Sequence, residues 1–150
     1  MGLDMYLSKK TYVKNWAHKK HVNRVVVTTD NQTRLDIKPE RVTYVEEEIM
    51  YWRKVNAVHA WFVENVQDGI DECQESAVTI EQLDTLATIC EKVVRDKNPE
   101  LLPPQAGFFF GSTEPDEYYY QEIEETAKVL REEIRNNQDD YPEYYYQASW

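Results

Sequence analysis

The stretch that most constrains the fold is residues 51–66, an amphipathic segment with a polar group on its apolar face. At about 100° per residue its apolar side chains fall on one broad arc, which predicts a single helix over the whole segment. The arc consists of Trp52, Val55, Val58, Phe62, Val63 and Val66. His59 falls in the middle of the arc and Asn56 at its edge, while Trp61 lies on the opposite side. We therefore expect a helix that is covered on both sides and holds a polar centre on its buried face.

Alternating apolar and polar residues predict strands at both ends of the chain. Leu3, Met5 and Leu7 alternate with polar side chains in residues 2–8, and residues 144–150 alternate in the same way. β-branched and apolar runs predict three further strands, separated by a turn and by Pro39. These strands cover residues 23–29, 33–37 and 41–49, and the basic residues 9–22 are predicted to form a loop.

Two more helices are predicted in the second half of the chain. Thr79 opens one of them with a capping-box pattern, after a polar connection over residues 70–78. Ser112 or Thr113 is predicted to cap the other, which runs to about Arg135. Together the patterns predict an α+β fold, with a mostly antiparallel sheet that includes both termini and about three helices packed on it.

The length of 150 residues predicts one α+β domain over residues 1–150, large enough to bury a substantial core. No apolar run approaches the roughly 18 residues of a membrane span, and residues 1–6 do not have the pattern of a signal peptide. Cys73 and Cys90 are the only cysteines, and both are expected to be reduced thiols. We therefore expect a cytoplasmic location.

The net charge of −11 is unevenly distributed along the chain. Residues 1–50 carry nine Lys/Arg and seven Asp/Glu, or +2, whereas residues 51–150 carry eight and twenty-one, or −13. The acidic part repels duplex nucleic acid, so direct duplex binding is not expected. Residues 9–24 mix cations with aromatic rings in a way that suits a nucleobase and its phosphate, but a solvated basic run is the simpler interpretation.

A candidate ligand site follows from the polar groups of the predicted helix and from a glycine-bracketed segment. Arg53, Asn56 and His59 are spaced i, i+3, i+6, which places them in one stripe of a helix that can bind an anionic or carbonyl group. Residues 107–113 contain three phenylalanines between two glycines and then a helix start, where free amides bind anions. The predicted ligand-binding residues are Arg53, Asn56, His59, Phe109, Gly111, Ser112 and Thr113.

Each part of this candidate site has a structural alternative. A buried histidine commonly bonds a backbone carbonyl and a tyrosine, and this role is the favoured alternative for His59. Glu114, Asp116 and Glu117 follow the predicted helix start and would repel an anion, which favours an ordinary capped helix there. Since the sequence places no nucleophile or carboxylate beside His59, no catalytic residue is predicted.

No metal site or cofactor is predicted from the sequence. His18 and His21 have metal-ligand spacing, but they lie among lysines, which disfavour a cation. The glycine-containing segment is not a phosphate-binding P-loop, because the lysine that such a loop requires after glycine is absent.

Three segments resemble a family of small bacteriophage and prophage proteins that has no established activity. They are residues 1–7 (Met-Gly-Leu-Asp-Met-Tyr-Leu), the Tyr51-Trp-Arg-Lys segment with Asn56, His59 and Trp61-Phe62, and the Gly107-Phe-Phe-Phe-Gly-Ser112 segment with Asp116 to Tyr120. The resemblance implies a viral accessory protein in a bacterial host cytoplasm. Accessory proteins of this size often counter host defences, by inhibiting a defence protein or by sequestering a nucleotide signal.

The sequence therefore supports three hypotheses about function. The first is a non-enzymatic phage accessory protein that binds a small anionic or nucleotide-like ligand, or a host defence protein. The second is a small hydrolase or transferase with His59 as general base. The third is an acidic inhibitor that mimics DNA, based on the −13 charge of residues 51–150. The oligomeric state is left open.

Overall fold

The computed structural model of the chain describes residues 2–18, 20, 22–107 and 112–150. Within these residues the strands are β1 (Asp4–Tyr12), β2 (Thr28–Thr29), β3 (Gln32–Thr33), β4 (Tyr44–Arg53), β5 (Ser76–Val78) and β6 (Glu143–Ser149). The α-helices are α1 (Asn56–Asn65), α2 (Ile80–Asp96) and α3 (Glu117–Asn136). Short 3-10 turns occupy Pro39–Arg41 and Pro99–Leu101.

Four strands form one antiparallel sheet in the order β4-β1-β6-β5, and β2 and β3 form a separate hairpin. The first and last strands, β1 and β6, are neighbours at the centre of the sheet. Met5 of β1 lies opposite Ala148 of β6 and, on its other side, opposite Trp52 of β4. The predicted α+β class, with an antiparallel sheet that includes both terminal strands and with three helices, is confirmed.

Alternate side chains of β1, β4 and β6 point into the core, because successive residues of a strand point to opposite faces of the sheet. Met5, Leu7 and Tyr146 are completely buried, and Trp52 is almost so. The indole N–H of Trp52 donates a hydrogen bond to Oγ1 of Thr126 at 2.8 Å, which ties β4 to α3. The helices complete the core with the buried residues Val58, Phe62, Leu83, Leu86, Cys90, Val93, Ile123 and Leu130.

The predicted start of α2 is confirmed, and that of α3 is wrong. Oγ1 of Thr79 accepts a hydrogen bond from the backbone N–H of Gln82, and Oε1 of Gln82 accepts one from the backbone N–H of Thr79. The capping box is therefore present. Helix α3 is capped instead by Asp116, whose carboxylate accepts from the Tyr119 amide at 3.0 Å. Ser112, one of the predicted caps, accepts from the Glu114 amide two residues later and so belongs to the preceding turn.

The prediction of one helix over residues 51–66 is wrong in its first turn. Strand β4 continues to Arg53 because it stays paired with β1, with Asp4 opposite Arg53. Lys54 then has a φ of 57°, in the left-handed region that ends a strand and cannot continue a right-handed helix. Helix α1 begins only at Asn56. Arg53 therefore does not share a helical stripe with Asn56 and His59, which corrects that part of the predicted site.

Other strand boundaries also differ from those predicted, because the pairing between strands determines where each strand ends. Strand β1 extends to Tyr12 into the predicted loop, since it pairs with β4 along its whole length. The predicted strands over 23–29 and 33–37 shorten to β2 and β3, which flank a tight turn at Asp30 and Asn31, both with positive φ. The polar connection over residues 70–78 contains β5, which pairs with β6.

None of the helices in the described ranges combines the length and hydrophobicity that crossing a membrane would require.

Candidate functional site

His59 lies on the buried face of α1 and is hydrogen-bonded through both ring nitrogens. Its Nδ1 is 2.6 Å from the hydroxyl of Tyr146 on β6, and its Nε2 is 2.9 Å from Oδ2 of Asp71. The other oxygen of Asp71 accepts from the indole N–H of Trp150 at 3.0 Å. The network thus joins α1, the loop before β5 and the C-terminal residue, and the imidazole is only 2% exposed.

These partners determine how the protons of the network are arranged. With a neutral imidazole, Nε2–H donates to the Asp71 carboxylate and Nδ1 accepts from the Tyr146 hydroxyl, so each proton has an acceptor. Burial raises the pKa of Tyr146 well above its ordinary value, with a further contribution from the Asp71 charge, so the phenol keeps its proton. Because both nitrogens of His59 face protein groups, the geometry favours a structural role over that of a general base.

The structural alternative for His59 predicted a tyrosine and a backbone carbonyl as its partners. The tyrosine is confirmed, and the backbone carbonyl is wrong. The second partner is the carboxylate of Asp71 rather than a backbone carbonyl. Asp71 is twelve residues away in a polar loop, and no local pattern in the sequence associates it with His59.

Asn56, the first residue of α1, is buried and joins two separate parts of the chain. Its Oδ1 accepts a hydrogen bond from the Gln105 amide at 2.8 Å, and its Nδ2 donates to the carbonyl of Ser112 at 2.8 Å. One side chain therefore fastens both ends of the segment that begins at Gln105 and ends at Ser112. This bridging explains why a polar residue is retained at the edge of the apolar arc of α1.

A cleft of about 260 Å³ opens where β4 turns into α1, opposite the first turns of α3. The left-handed conformation of Lys54 produces the sharp turn that forms one wall. The lining residues are Arg53, Lys54, Val55, Asn56, Ala57, Ser112, Glu114, Asp116, Tyr118, Tyr119 and Glu122. The cleft thus combines cations, carboxylates, an amide and aromatic rings within one small volume, which is typical of a binding site for a polar small molecule.

The charged groups of the cleft are arranged on two sides. Arg53 and Lys54 lie on the β4–α1 turn, both exposed, and within the described residues neither forms an ion pair. Glu122 lies on α3, and its pKa is raised, first by burial and then by the charge of Glu125. Tyr118 bridges the two sides, since it belongs to α3 and its hydroxyl donates to the Arg53 carbonyl at 3.3 Å.

The structure brings some of the predicted site residues together and separates others. Arg53, Asn56 and Ser112 line the same cleft. Asn56 also lines a second cavity of about 260 Å³, which it shares with His59, Asp71 and Gln105. Thr113 is exposed and lines neither cavity, and Phe109 and Gly111 lie outside the described residues.

Trp61 is 8% exposed, so the back of α1 is covered as predicted. Trp61 packs edge-on against Phe62, and it lines a shallow cavity together with Leu101, Leu102 and Pro103. The Phe108–Phe110 segment that we expected to cover α1 lies outside the described residues.

Lys54, Tyr118 and Glu122 were missed by sequence reasoning. Tyr118 and Glu122 are spaced i, i+4 on α3, which was a detectable signal for a shared face. Nothing in the sequence indicated that this face lies opposite Arg53.

Within the described ranges, no three His, Cys, Asp or Glu side chains are grouped as metal ligands would be. Comparison of the chain with protein-family models, with curated proteins and with solved structures produced no match in any of the three.

Proposed function

We propose that this chain is a non-enzymatic accessory protein that binds a small anionic ligand of nucleotide type in the cleft between the β4–α1 turn and α3. The observation that carries the proposal is the pair Arg53 and Lys54, two neighbouring cations at the cleft that form no ion pair within the described residues. On a chain of net charge −11, two adjacent exposed cations can attract an anion locally, although Glu114, Asp116 and Glu122 line the other side of the same cleft.

The remaining lining supports a nucleotide rather than an inorganic anion. Tyr118 is exposed and contributes an aromatic ring on which a nucleobase can stack, whereas Tyr119 is buried and its hydroxyl donates to the Leu102 carbonyl. Asn56 fixes the Ser112 end of the cleft wall by its 2.8 Å hydrogen bond, so the wall is held in place before a ligand binds. A volume of about 260 Å³ is small, which suits a mononucleotide better than a dinucleotide or an extended chain.

The biological role that we propose rests on the resemblance to phage and prophage proteins. A protein that binds a nucleotide without turnover can sequester a signal that a bacterial host uses in defence. Binding to a host defence protein is the alternative form of the same proposal. The enzyme hypothesis is weaker, because His59 is buried and both of its nitrogens contact protein groups.

A ligand screen with a charge-matched control tests the proposal. The protein is titrated by calorimetry and thermal shift with nucleoside monophosphates, cyclic nucleotides and inorganic phosphate. We expect micromolar to millimolar binding of at least one nucleotide, weakened about tenfold or more by Arg53→Gln, since hydrogen bonds to charged groups contribute about 1.5–3 kcal/mol. Arg24→Gln removes the same charge at another exposed arginine, one that does not line the cleft, and it should leave the affinity within about twofold because exposed charges outside the site are largely screened at physiological ionic strength.

Two results would overturn the proposal. One is the absence of stabilisation by every anion in the screen. The other is binding that Arg53→Gln and Arg24→Gln weaken equally, because general electrostatic attraction would then account for it.

A further inference from the structure

The cleft has a carboxylate opposite its cations, and this restricts the kind of anion that fits. We propose that the ligand is a nucleotide whose base carries an exocyclic amino group, with the phosphate at Arg53 and Lys54 and the amino group donating to the carboxylate of Glu122. This inference rests on the proposed function and adds the chemical class of the base.

Glu122 is a half-buried side chain for which the described structure provides no partner. Its carboxylate forms no ion pair or hydrogen bond with a described residue, although its backbone carbonyl accepts from Thr126. Removing a carboxylate from water is unfavourable unless a hydrogen-bond donor or a cation compensates. A ligand amino group at this position would provide the donor.

Tyr118 relates the position of Glu122 to that of the cations. Tyr118 and Glu122 are one turn apart on α3, so their Cβ atoms are about 5–6 Å apart on one helix face. The hydroxyl of Tyr118 reaches the backbone of Arg53 at 3.3 Å. A planar base lying along the Tyr118 ring would therefore have a cation near one end and the Glu122 carboxylate near the other.

The other carboxylates of the cleft are less suited to this role. Asp116 caps α3, with Oδ1 accepting from the Tyr119 amide at 3.0 Å. Glu114 is exposed on the loop before α3, where water solvates it. Glu122 combines partial burial with the absence of a partner among the described residues, and it is the carboxylate for which a ligand donor has the greatest effect.

The test uses pairs of nucleotides that differ in an amino group against a carbonyl at one ring position, namely CMP with UMP and AMP with IMP. Affinities are measured by calorimetry at pH 7.5 for the wild type, for Glu122→Gln and for Glu132→Gln. Glu132 is an exposed glutamate ten residues further along the same helix, which makes it a matched control. We expect the amino member of the better-binding pair to bind about tenfold more tightly to the wild type, as a charge-assisted hydrogen bond would provide.

In Glu122→Gln we expect the ratio within that pair to fall below about threefold, because an amide can donate to the carbonyl of the other base as well as accept. Glu132→Gln should keep the wild-type ratio. Equal affinities within both pairs, with binding still sensitive to Arg53→Gln, would overturn this inference and leave the proposed function standing. A Glu122→Gln variant that binds all four nucleotides more tightly by the same factor would also overturn it, by showing that Glu122 acts only as a counter-ion of Arg53. Failure of all four to bind would overturn this inference, and it would overturn the proposed function as well only if no other anion of the earlier screen binds.

Discussion

The buried network around His59 can be tested by replacing Tyr146 with phenylalanine, which removes one oxygen atom and keeps the ring. The ring of Tyr146 stacks on Phe62 with centroids 3.9 Å apart and planes 7° apart, and phenylalanine retains this contact. The hydroxyl, in contrast, is the group 2.6 Å from Nδ1 of His59. The substitution therefore isolates the contribution of one buried hydrogen bond.

The expected loss follows from the burial of both partners. Tyr146 is completely buried and His59 is 2% exposed, so water cannot replace the lost hydroxyl without a rearrangement. A buried acceptor left without its donor costs about 1–3 kcal/mol, and we expect Tyr146→Phe to lower the free energy of unfolding by this amount. For a chain of this size that corresponds to a decrease in Tm of roughly 2–4 °C for each kcal/mol.

Urea denaturation followed by circular dichroism gives the free energy of unfolding. An m-value equal to that of the wild type shows that the substitution leaves the folded and unfolded states comparable. Tyr145→Phe is the matched control. Tyr145 is the neighbouring residue of β6, and its hydroxyl makes no hydrogen bond with a described residue. Its ring, which lies 4.2 Å from the Lys10 ammonium, is preserved in phenylalanine. If the two variants are equally stable, the Tyr146–His59 hydrogen bond does not stabilise the fold and the structural role assigned to His59 is refuted.

Three further predictions concern the segment held by Asn56, the start of α2 and the alkaline limit of stability. Asn56→Ala removes two hydrogen bonds to described residues, so the free energy of unfolding should fall by about 2–3 kcal/mol and hydrogen exchange at the Gln105 amide should accelerate. Asn65→Ala, at the exposed end of α1, should not accelerate that exchange. Thr79→Ala should cost about 1 kcal/mol in urea melts, and Thr79→Ser should restore most of it, since serine also caps helices. Burial raises the pKa of the Cys90 thiol from 9.0 to about 12. As the pH rises, the unfolded chain therefore loses this proton before the folded chain does, and the free energy of unfolding should fall between pH 9 and 12 by about 1.4 kcal/mol per pH unit. Cys90→Ala should reduce this slope. A difference in stability between wild type and Cys90→Ala that does not change with pH would contradict the prediction.

Elements whose pattern is local were predictable from the sequence. The alternation of Leu3, Met5 and Leu7 specifies a half-buried strand whatever its partner, and these three side chains are completely buried as predicted. The capping box at Thr79 likewise depends only on residues within one helical turn. The inclusion of both terminal strands in one sheet was expected from their similar patterns.

Elements that depend on distant partners were not predictable in the same way. Tyr51 and Trp52 have side chains that suit a strand as well as an apolar helix face, and the choice between them is made by pairing with β1, more than forty residues earlier. The helical spacing of apolar residues therefore extends across Arg53, although in the structure Arg53 is the last residue of β4. Asp71 was missed for a related reason, because its contact with His59 arises from the path of a loop.

The segment predicted as one helix nevertheless contained two predicted ligand-binding residues that line the cleft, Arg53 and Asn56, and the structure explains why. Arg53 ends a strand and Asn56 begins a helix, and the left-handed residue between them turns the chain so that both line one cleft opposite α3. His59, one turn further along α1, faces Asp71 and Tyr146 instead. Of the polar residues predicted as one stripe, Arg53 is exposed and available to a ligand, whereas Asn56 and His59 are buried and hydrogen-bonded within the protein. Substitutions at Arg53 should therefore change affinity with little effect on stability, whereas substitutions at His59 should change stability first.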